Sequence, residues 1–130
     1  MKLGLAGKYG PDQGAALEVE AAVIYETGAA QPLAGQTFYI LERSPEELLK
    51  GDITSEIWYA KTKNSLRNHA LAFVITDSQG KAEKNDLKAG AYYICGIGHT
   101  QKGVVIWNVR IELKPGKNSL TLDNRNLAAG

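Results

Sequence analysis

Val104-Val105-Ile106-Trp107-Asn108-Val109-Arg110-Ile111-Glu112-Leu113 alternates along its whole length. Val105, Trp107, Val109, Ile111 and Leu113 share one face, while Asn108, Arg110 and Glu112 take the other. Period two over ten residues defines a half-buried β-strand with one wet side, and places Trp107 in a core. The same rhythm occurs near the start of the chain. There Leu17, Val19, Ala21, Val23 and Tyr25 point one way, and Glu18, Glu20 and Glu26 point the other.

Five further strands follow from pattern and punctuation. Residues 36–42 follow a Gly/Pro loop at 27–35, and 70–76 (ALAFVIT) is an apolar run of strand length. Asp77-Ser78-Gln79-Gly80 has the Asp and Gly positions of a type I turn, and leads into 81–87, a polar strand whose lysines suit a sheet edge. Lys88-Ala89-Gly90 turns the chain into 91–100, and Gln101-Lys102-Gly103 turns it again. Pro115-Gly116 fits the centre of a type II turn before the last strand, 118–123. Seven strands with regularly spaced turns predict an all-β sandwich.

One region breaks the rhythm. Ser44-Pro45-Glu46-Glu47 has the form of a capping box with proline at the first helical position, which predicts a short helix over 45–50 stopped by Gly51. Residues 55–68 show only loose helical periodicity, in Ile57, Trp58 and Leu66. Residues 44–69 therefore read as a partly helical insertion. The organisation expected is an N-terminal arm (1–16), a sandwich domain (17–124) and a C-terminal tail (125–130).

Composition sets the limits on chemistry. The chain has 130 residues, 44% of them hydrophobic, with 15 basic and 14 acidic side chains for a net charge of +1. That balance lacks the basic footprint of a nucleic-acid binder. One cysteine excludes an intrachain disulfide framework. No apolar run approaches the roughly 18 residues of a membrane span, and the first residues contain no signal-peptide core. No membrane insertion is expected, and any secretion signal would have been removed. The charge is unevenly spread, at −3 over residues 1–50 and +4 over 51–130.

Catalytic motifs are absent. Cys95 and His99 fall on one face of one strand, but four residues separate them by about 13 Å, too far to share a metal or form a thiolate–imidazole pair. Cys95 reads as a packed thiol. Gly96-Ile97-Gly98 fails the dinucleotide pattern because Gln101 stands at its third glycine, and Gly98-x4-Gly103 precedes Val104 instead of lysine. These glycines fit close strand packing. Glu18 and Glu20 lie about 6.6 Å apart on a solvated strand face. No catalytic residue, metal or cofactor is expected.

A family resemblance rests on short motifs. Thr76-Asp77-Ser78-Gln79-Gly80-Lys81-Ala82 and Leu87-Lys88-Ala89-Gly90-Ala91-Tyr92 resemble the signature of carboxypeptidase regulatory-like domains, which have the transthyretin-like (prealbumin-like) sandwich. Pro32-Leu33-Ala34-Gly35, followed by Phe38 and Ile40, is similar to that family's loop and second strand. The resemblance covers residues 17–122 apart from the insertion. It implies a seven-stranded Greek-key prealbumin-like sandwich with a short, partly helical insertion. Such a domain is usually an accessory module of secreted or cell-envelope proteins. It also implies that Tyr92 is buried with its hydroxyl tied to backbone.

Related enzymes leave no trace in this chain. The N-terminal histidine and C-terminal Tyr-Arg-Gly-Ser of transthyretin-like hydroxyisourate hydrolases are missing, as is the His-x-His pair of intradiol dioxygenases. Residues 17–26 contain no lysine for a pilin-type Lys–Asn isopeptide bond.

The remaining lead is aromatic. Trp58 and Tyr59 lie in the insertion with Lys61, Lys63, Arg67 and His69 nearby. Exposed together, they could stack on a sugar or hold an anionic partner. The alternative is that Trp58 pins the insertion to the sandwich, offsetting the entropy of ordering it. The expected function is a non-catalytic extracellular or envelope module that binds a glycan or protein through Trp58, Tyr59, Lys61, Lys63 and Arg67. A second reading is a structural subunit forming a homo-oligomer through its N-terminal arm by β-strand addition. A third, a small transthyretin-like hydrolase, has no supporting constellation.

Overall fold

The computed structural model describes residues 14–100 and 103–129. The seven expected strands are present, with two three-residue strands added. In chain order they are β1 (Gly14–Ile24), β2 (Ala30–Pro32), β3 (Thr37–Leu41), β4 (Ala72–Ile75), β5 (Lys81–Lys88), β6 (Gly90–Thr100), β7 (Gly103–Leu113), β8 (Gly116–Leu122) and β9 (Leu127–Ala129). They form two sheets. In the first, β1 is central: β5 and then β2 pair antiparallel with it, and β8 pairs parallel. The second runs β4-β3-β6-β7-β9, antiparallel throughout.

The inward rows are those the alternation predicts. Leu17, Val19 and Ala21 from β1 meet Phe38 and Ile40 from β3, Ile94 from β6, and Val105 and Trp107 from β7. Trp107 is the largest of the fully buried side chains. Its ring meets Phe38 edge-on at 5.5 Å, and its Nε1 donates to the Asp123 carbonyl at 3.0 Å. Gly96 and Gly98 make room for this pair. A Cβ at Gly96 would stand 2.6 Å from the Phe38 ring, and one at Gly98 would stand 2.5 Å from Gln36 Oε1 and 3.3 Å from the Trp107 ring. The glycines serve packing, as the failed phosphate-loop patterns suggested.

Two turns behave as read. The Gly80 amide donates to the Asp77 carbonyl, and the Asp77 carboxylate accepts from the Gln79 and Lys81 amides. Buried Tyr92 donates its hydroxyl to the Lys88 carbonyl at 2.6 Å. Where β8 enters, the Asn118 amide donates to the carbonyls of Ala16, Lys114 and Gly116, fixing the parallel β1–β8 pair.

Unlike an ordinary sandwich strand, β3 is buried on both faces. Phe38 and Ile40 face the core between the sheets, while Tyr39 and Leu41 join Cys95, Ile97 and Ile106 on the outer side. The insertion covers that outer side. Its main element is α1 (Glu56–His69), capped by Ser55, whose Oγ accepts from the Trp58 amide. Trp58, Thr62 and Leu66 recur every four residues and form the buried stripe. The expected helix at 45–50 is a correction. The amides of Leu48 and Leu49 close a single turn on the Pro45 carbonyl, and Glu47 pairs with Lys50 rather than returning to Ser44. The segment first read as a tail supplies β9, which extends the second sheet.

Replacing Gly96 by Ala should destabilise the domain by about 1–3 kcal/mol, because the Phe38 ring has no free space to enter. A lower urea midpoint with an unchanged m-value is the expected readout.

Candidate binding cleft

Of the five residues expected to form a site, Tyr59, Lys63 and Arg67 follow one another at four-residue spacing along one face of α1, while Trp58 belongs to the buried stripe and Lys61 lies elsewhere on the helix. Trp58 is only 9% exposed, and its Nε1 donates to the Lys50 carbonyl at 2.8 Å, tying α1 to the loop before it. It pins the insertion and is not available to stack on a ligand. Tyr59, the next residue on α1, is half-buried, its ring 4.6 Å from that of His99. Lys63 Nζ lies 4.9 Å from the Tyr59 centroid. Arg67 sits further along, over Phe73 of β4, and Lys61 is exposed away from the buried stripe. A surface helix spreads residues of neighbouring number around its circumference.

His99 leads to a feature the sequence reading did not anticipate. At one end of the sandwich an open cleft of about 950 Å³ lies between the hairpin following β1, the β6–β7 hairpin and the 123–127 segment. Its apolar lining is Leu33, Val105, Trp107 and Leu127, with Val23 and Ile24 from the end of β1. Its polar lining includes Glu26, Thr27, Gln31, His99 and Asn124. Tyr25 stands at the rim, 38% exposed, and donates its hydroxyl to Gln31 Oε1. The sequence did carry a signal. Val23 and Tyr25 continue the inward row of Leu17, Val19 and Ala21, yet they lie beyond the buried part of the core. Inward-facing residues that outrun the opposing sheet become the wall of a cleft.

The cleft is held open by backbone-directed hydrogen bonds. Tyr25 and Ala29 close the β1–β2 hairpin, with the Tyr25 amide donating to the Ala29 carbonyl at 2.9 Å. Asn124 spans the strands: its Oδ1 accepts from the Ile24 amide and its Nδ2 donates to the Ile24 carbonyl. Asp123, 3% exposed, anchors the segment. Its carboxylate accepts from the Arg125 amide and pairs with the Arg125 guanidinium at 2.6 Å. The Arg125 hydrogen bond is the main cause holding the Asp123 carboxyl below its ordinary range, against the cost of burial.

Elsewhere the reactive groups are muted. Cys95 is fully buried, and burial pushes its thiol up to about 12. Among the described residues no cluster of His, Cys, Asp and Glu could hold a metal ion, and no helix is long and apolar enough to cross a membrane. Glu18 and Glu20 face a shallow outer groove of the first sheet, where Glu20 meets Lys81 at 3.8 Å.

No protein-family model matches the chain, and no curated protein matches it in sequence. Solved structures do resemble it. A candidate carbohydrate-binding protein of Pseudomonas aeruginosa aligns over 92% of this chain and 94% of its own, with a TM-score of 0.53 and 9% identity. A minor pilin of Streptococcus agalactiae aligns over 85% of this chain and 44% of its own, with a TM-score of 0.51 and 16% identity. The TIE protein of Bacillus anthracis gives 0.50 and 18%, over 85% of this chain and 16% of that one. This chain thus spans less than half of the pilin and a smaller part still of the TIE protein. At these identities the shared property is the fold, a two-sheet β-sandwich.

Two outcomes are expected. Asp123 has a depressed carboxyl, so its contribution is complete above the unfolded pKa near 3.9 and is lost as pH falls through the lower folded value. Asp123→Asn should lower stability by roughly 2 kcal/mol at pH 7. It should also flatten the acid limb of a plot of stability against pH below about 4, which urea titrations across pH 2.5–7 would read. The Cys95 thiol should resist a disulfide reagent at pH 8 in the native protein and react fully in 6 M guanidinium.

Proposed function

We propose that this chain is a non-catalytic binding module of the cell envelope or exterior, and that its end cleft takes a carbohydrate. The observation that carries this reading is the lining of the cleft. An aromatic ring at the rim (Tyr25) stands beside planar polar groups (Gln31, Glu26) and a hydroxyl (Thr27), over an apolar floor. Sugars present apolar C–H faces and paired hydroxyls. An aromatic ring offers the first a stacking surface, and amide or carboxylate groups can bond two adjacent hydroxyls at once. Pockets with a few convergent polar groups on an apolar base are the usual form of small-molecule sites.

Tyr59 and Lys63 support the rim through His99, which keeps part of the insertion in the site. Trp58 acts in packing, and Lys61 and Arg67 lie outside the cleft. The fold-level likeness to a candidate carbohydrate-binding protein along nearly its full length supports the sugar reading by analogy. The likeness to a minor pilin supports an envelope or secreted location by the same kind of argument. The turn at Asp77–Gly80 and the Tyr92–Lys88 bond favour the finer class, a carboxypeptidase regulatory-like or transthyretin-like domain.

A glycan array followed by calorimetry on the best ligand tests the proposal. Tyr25→Ala and Gln31→Ala should each weaken binding at least tenfold while leaving the unfolding free energy from urea titration within about 0.5 kcal/mol of the parent, as expected for surface changes. Lys61→Ala should leave affinity unchanged. Absence of any glycan ligand, or equal affinity in the Tyr25 variant, would sink the reading.

A further inference from the structure

We infer that β4 is a receiving edge for β-strand addition, and that its occupant is the N-terminal segment of a second copy of this chain. The inference is independent of what the cleft binds. It starts from the difference between β4 and the other sheet edges. Along β5, Lys81, Lys84 and Lys88 and an irregular register opposite Ala15–Leu17 discourage pairing. β8 is dominated by polar residues and β9 is three residues long. β4 is itself only four residues long, but it has neither the lysines of β5 nor the polar composition of β8. It carries no charge, and Leu71, Phe73 and Ile75 alternate on one face at 52%, 45% and 56% exposure.

The backbone is arranged for the same purpose. β4 pairs only with β3 among the described residues. The Thr76 amide donates to the Gln36 carbonyl at 3.0 Å, which sets the phase of the ladder. In an antiparallel pair the bonded residues alternate, so Val74 and Ala72 also face β3. The N–H and C=O groups of Phe73 and Ile75 therefore point outward, beside their own exposed side chains. A strand laid there would gain main-chain bonds and apolar contacts together.

Residues 1–13 lie outside the described residues, and their sequence matches what the edge requires. Over residues 3–6, the length of β4, Leu3 and Leu5 share one phase and small Gly4 and Ala6 the other, while Gly7 ends the apolar row and Lys2 and Lys8 flank the small one. In an added strand the first set would lie beside Phe73 and Ile75 on the outer face. Gly4 and Ala6 would turn toward the narrow rim between the sheets, next to buried Val74, with Lys2 and Lys8 on either side of them beyond the four-residue edge. A 13-residue segment reaches at most about 45 Å, ample for a neighbouring molecule. The position of β1 favours a neighbour. At its first residues β1 is paired on both sides, with Lys88 opposite Gly14 and Gly116 opposite Ala15. The first described residues of β1 thus lie in the middle of the first sheet, while β4 borders the other sheet. Because donor and acceptor are different surfaces, the contact is heterologous, and it extends copy by copy.

Complementing variants test this with full control of folding. In sedimentation, the parent should gain mass as concentration rises from 1 to 500 µM. A deletion of residues 2–13 retains the edge and loses the donor, and F73K/I75K retains the donor and loses the edge. Each should be monomeric alone, with unchanged circular dichroism, since Phe73 and Ile75 are exposed. Their mixture should form a 1:1 dimer and nothing larger. In that dimer the amides of Phe73 and Ile75 in the deletion partner should exchange at least tenfold more slowly. A parent that stays monomeric throughout, a deletion variant that assembles like the parent, or a mixture that does not pair would each overturn the inference. Slow exchange at both amides in a strictly monomeric parent would also overturn it, by assigning the edge to the chain's own arm.

Discussion

The contact between Trp107 and Phe38 across Gly96 and Gly98 organises this molecule. Trp107 is the bulkiest fully buried side chain, and it sits where β7 passes opposite β6. The Phe38 ring fills the space left at Gly96, and Gln36 with the edge of the Trp107 ring fills that at Gly98, so packing at that point depends on two rings and two missing side chains. The indole also has a polar handle, which must be satisfied inside a core. It reaches the Asp123 carbonyl and thereby fixes where β8 ends. The segment after β8 then folds back through Asp123, Asn124 and Asn126 and returns to the second sheet as β9. A single large residue thus couples the centre of the core to the closure of one end.

That coupling explains why the cleft is where it is. The end of the sandwich nearest Trp107 is the one at which β1 runs past β5 and β8 to pair with β2, and where Asn124 holds the Ile24 backbone from both directions. Opening this end leaves Val105, Trp107 and Leu127 as a floor with polar side chains around it. A rigid floor beneath residues supplied by turns is a common arrangement for recognition, because the scaffold fixes position and the turns supply variety. Asp123 contributes at a distance. Its carboxylate holds the 123–127 segment in shape without lining the cleft.

Much of this was legible in the sequence, for definite reasons. Period-two alternation located β1 and β7, and the turn chemistry of Asp77–Gly80 and Pro115–Gly116 placed the joints between strands, because these signals are local. The helix α1 was faint because its buried stripe contains Thr62 between Trp58 and Leu66, and its most exposed apolar residue, Ile57, lies off the stripe. Apolar counting fails when a core position is polar and a surface position is not. The capping-box pattern at Ser44 misled in the opposite sense. Ser44 Oγ accepts only a long bond from the Glu46 amide, at 3.4 Å, and Gly51 follows too soon for more than one turn, whereas cooperative helix growth needs several. The binding cleft was illegible as a unit because its residues come from four parts of the chain and meet only after both sheets form.

The insertion has a consequence for the whole surface. By covering Tyr39, Leu41, Cys95, Ile97 and Ile106, α1 turns a two-layer sandwich into three layers over the middle of the second sheet. It does not extend over β4. The row Leu71, Phe73 and Ile75 is the part of the outer apolar face that remains uncovered, with the Arg67 guanidinium over Phe73 marking its border. The same sequence feature therefore accounts for two properties. A second sheet apolar on both faces requires a lid, and a lid shorter than the sheet leaves an apolar margin on an edge that is unpaired among the described residues. Natural sheet proteins usually place a charge or a proline on such an edge. Here the stretch Ala70-Leu71-Ala72-Phe73-Val74-Ile75-Thr76 carries neither. An edge without those defences is the kind that the strand addition proposed above requires.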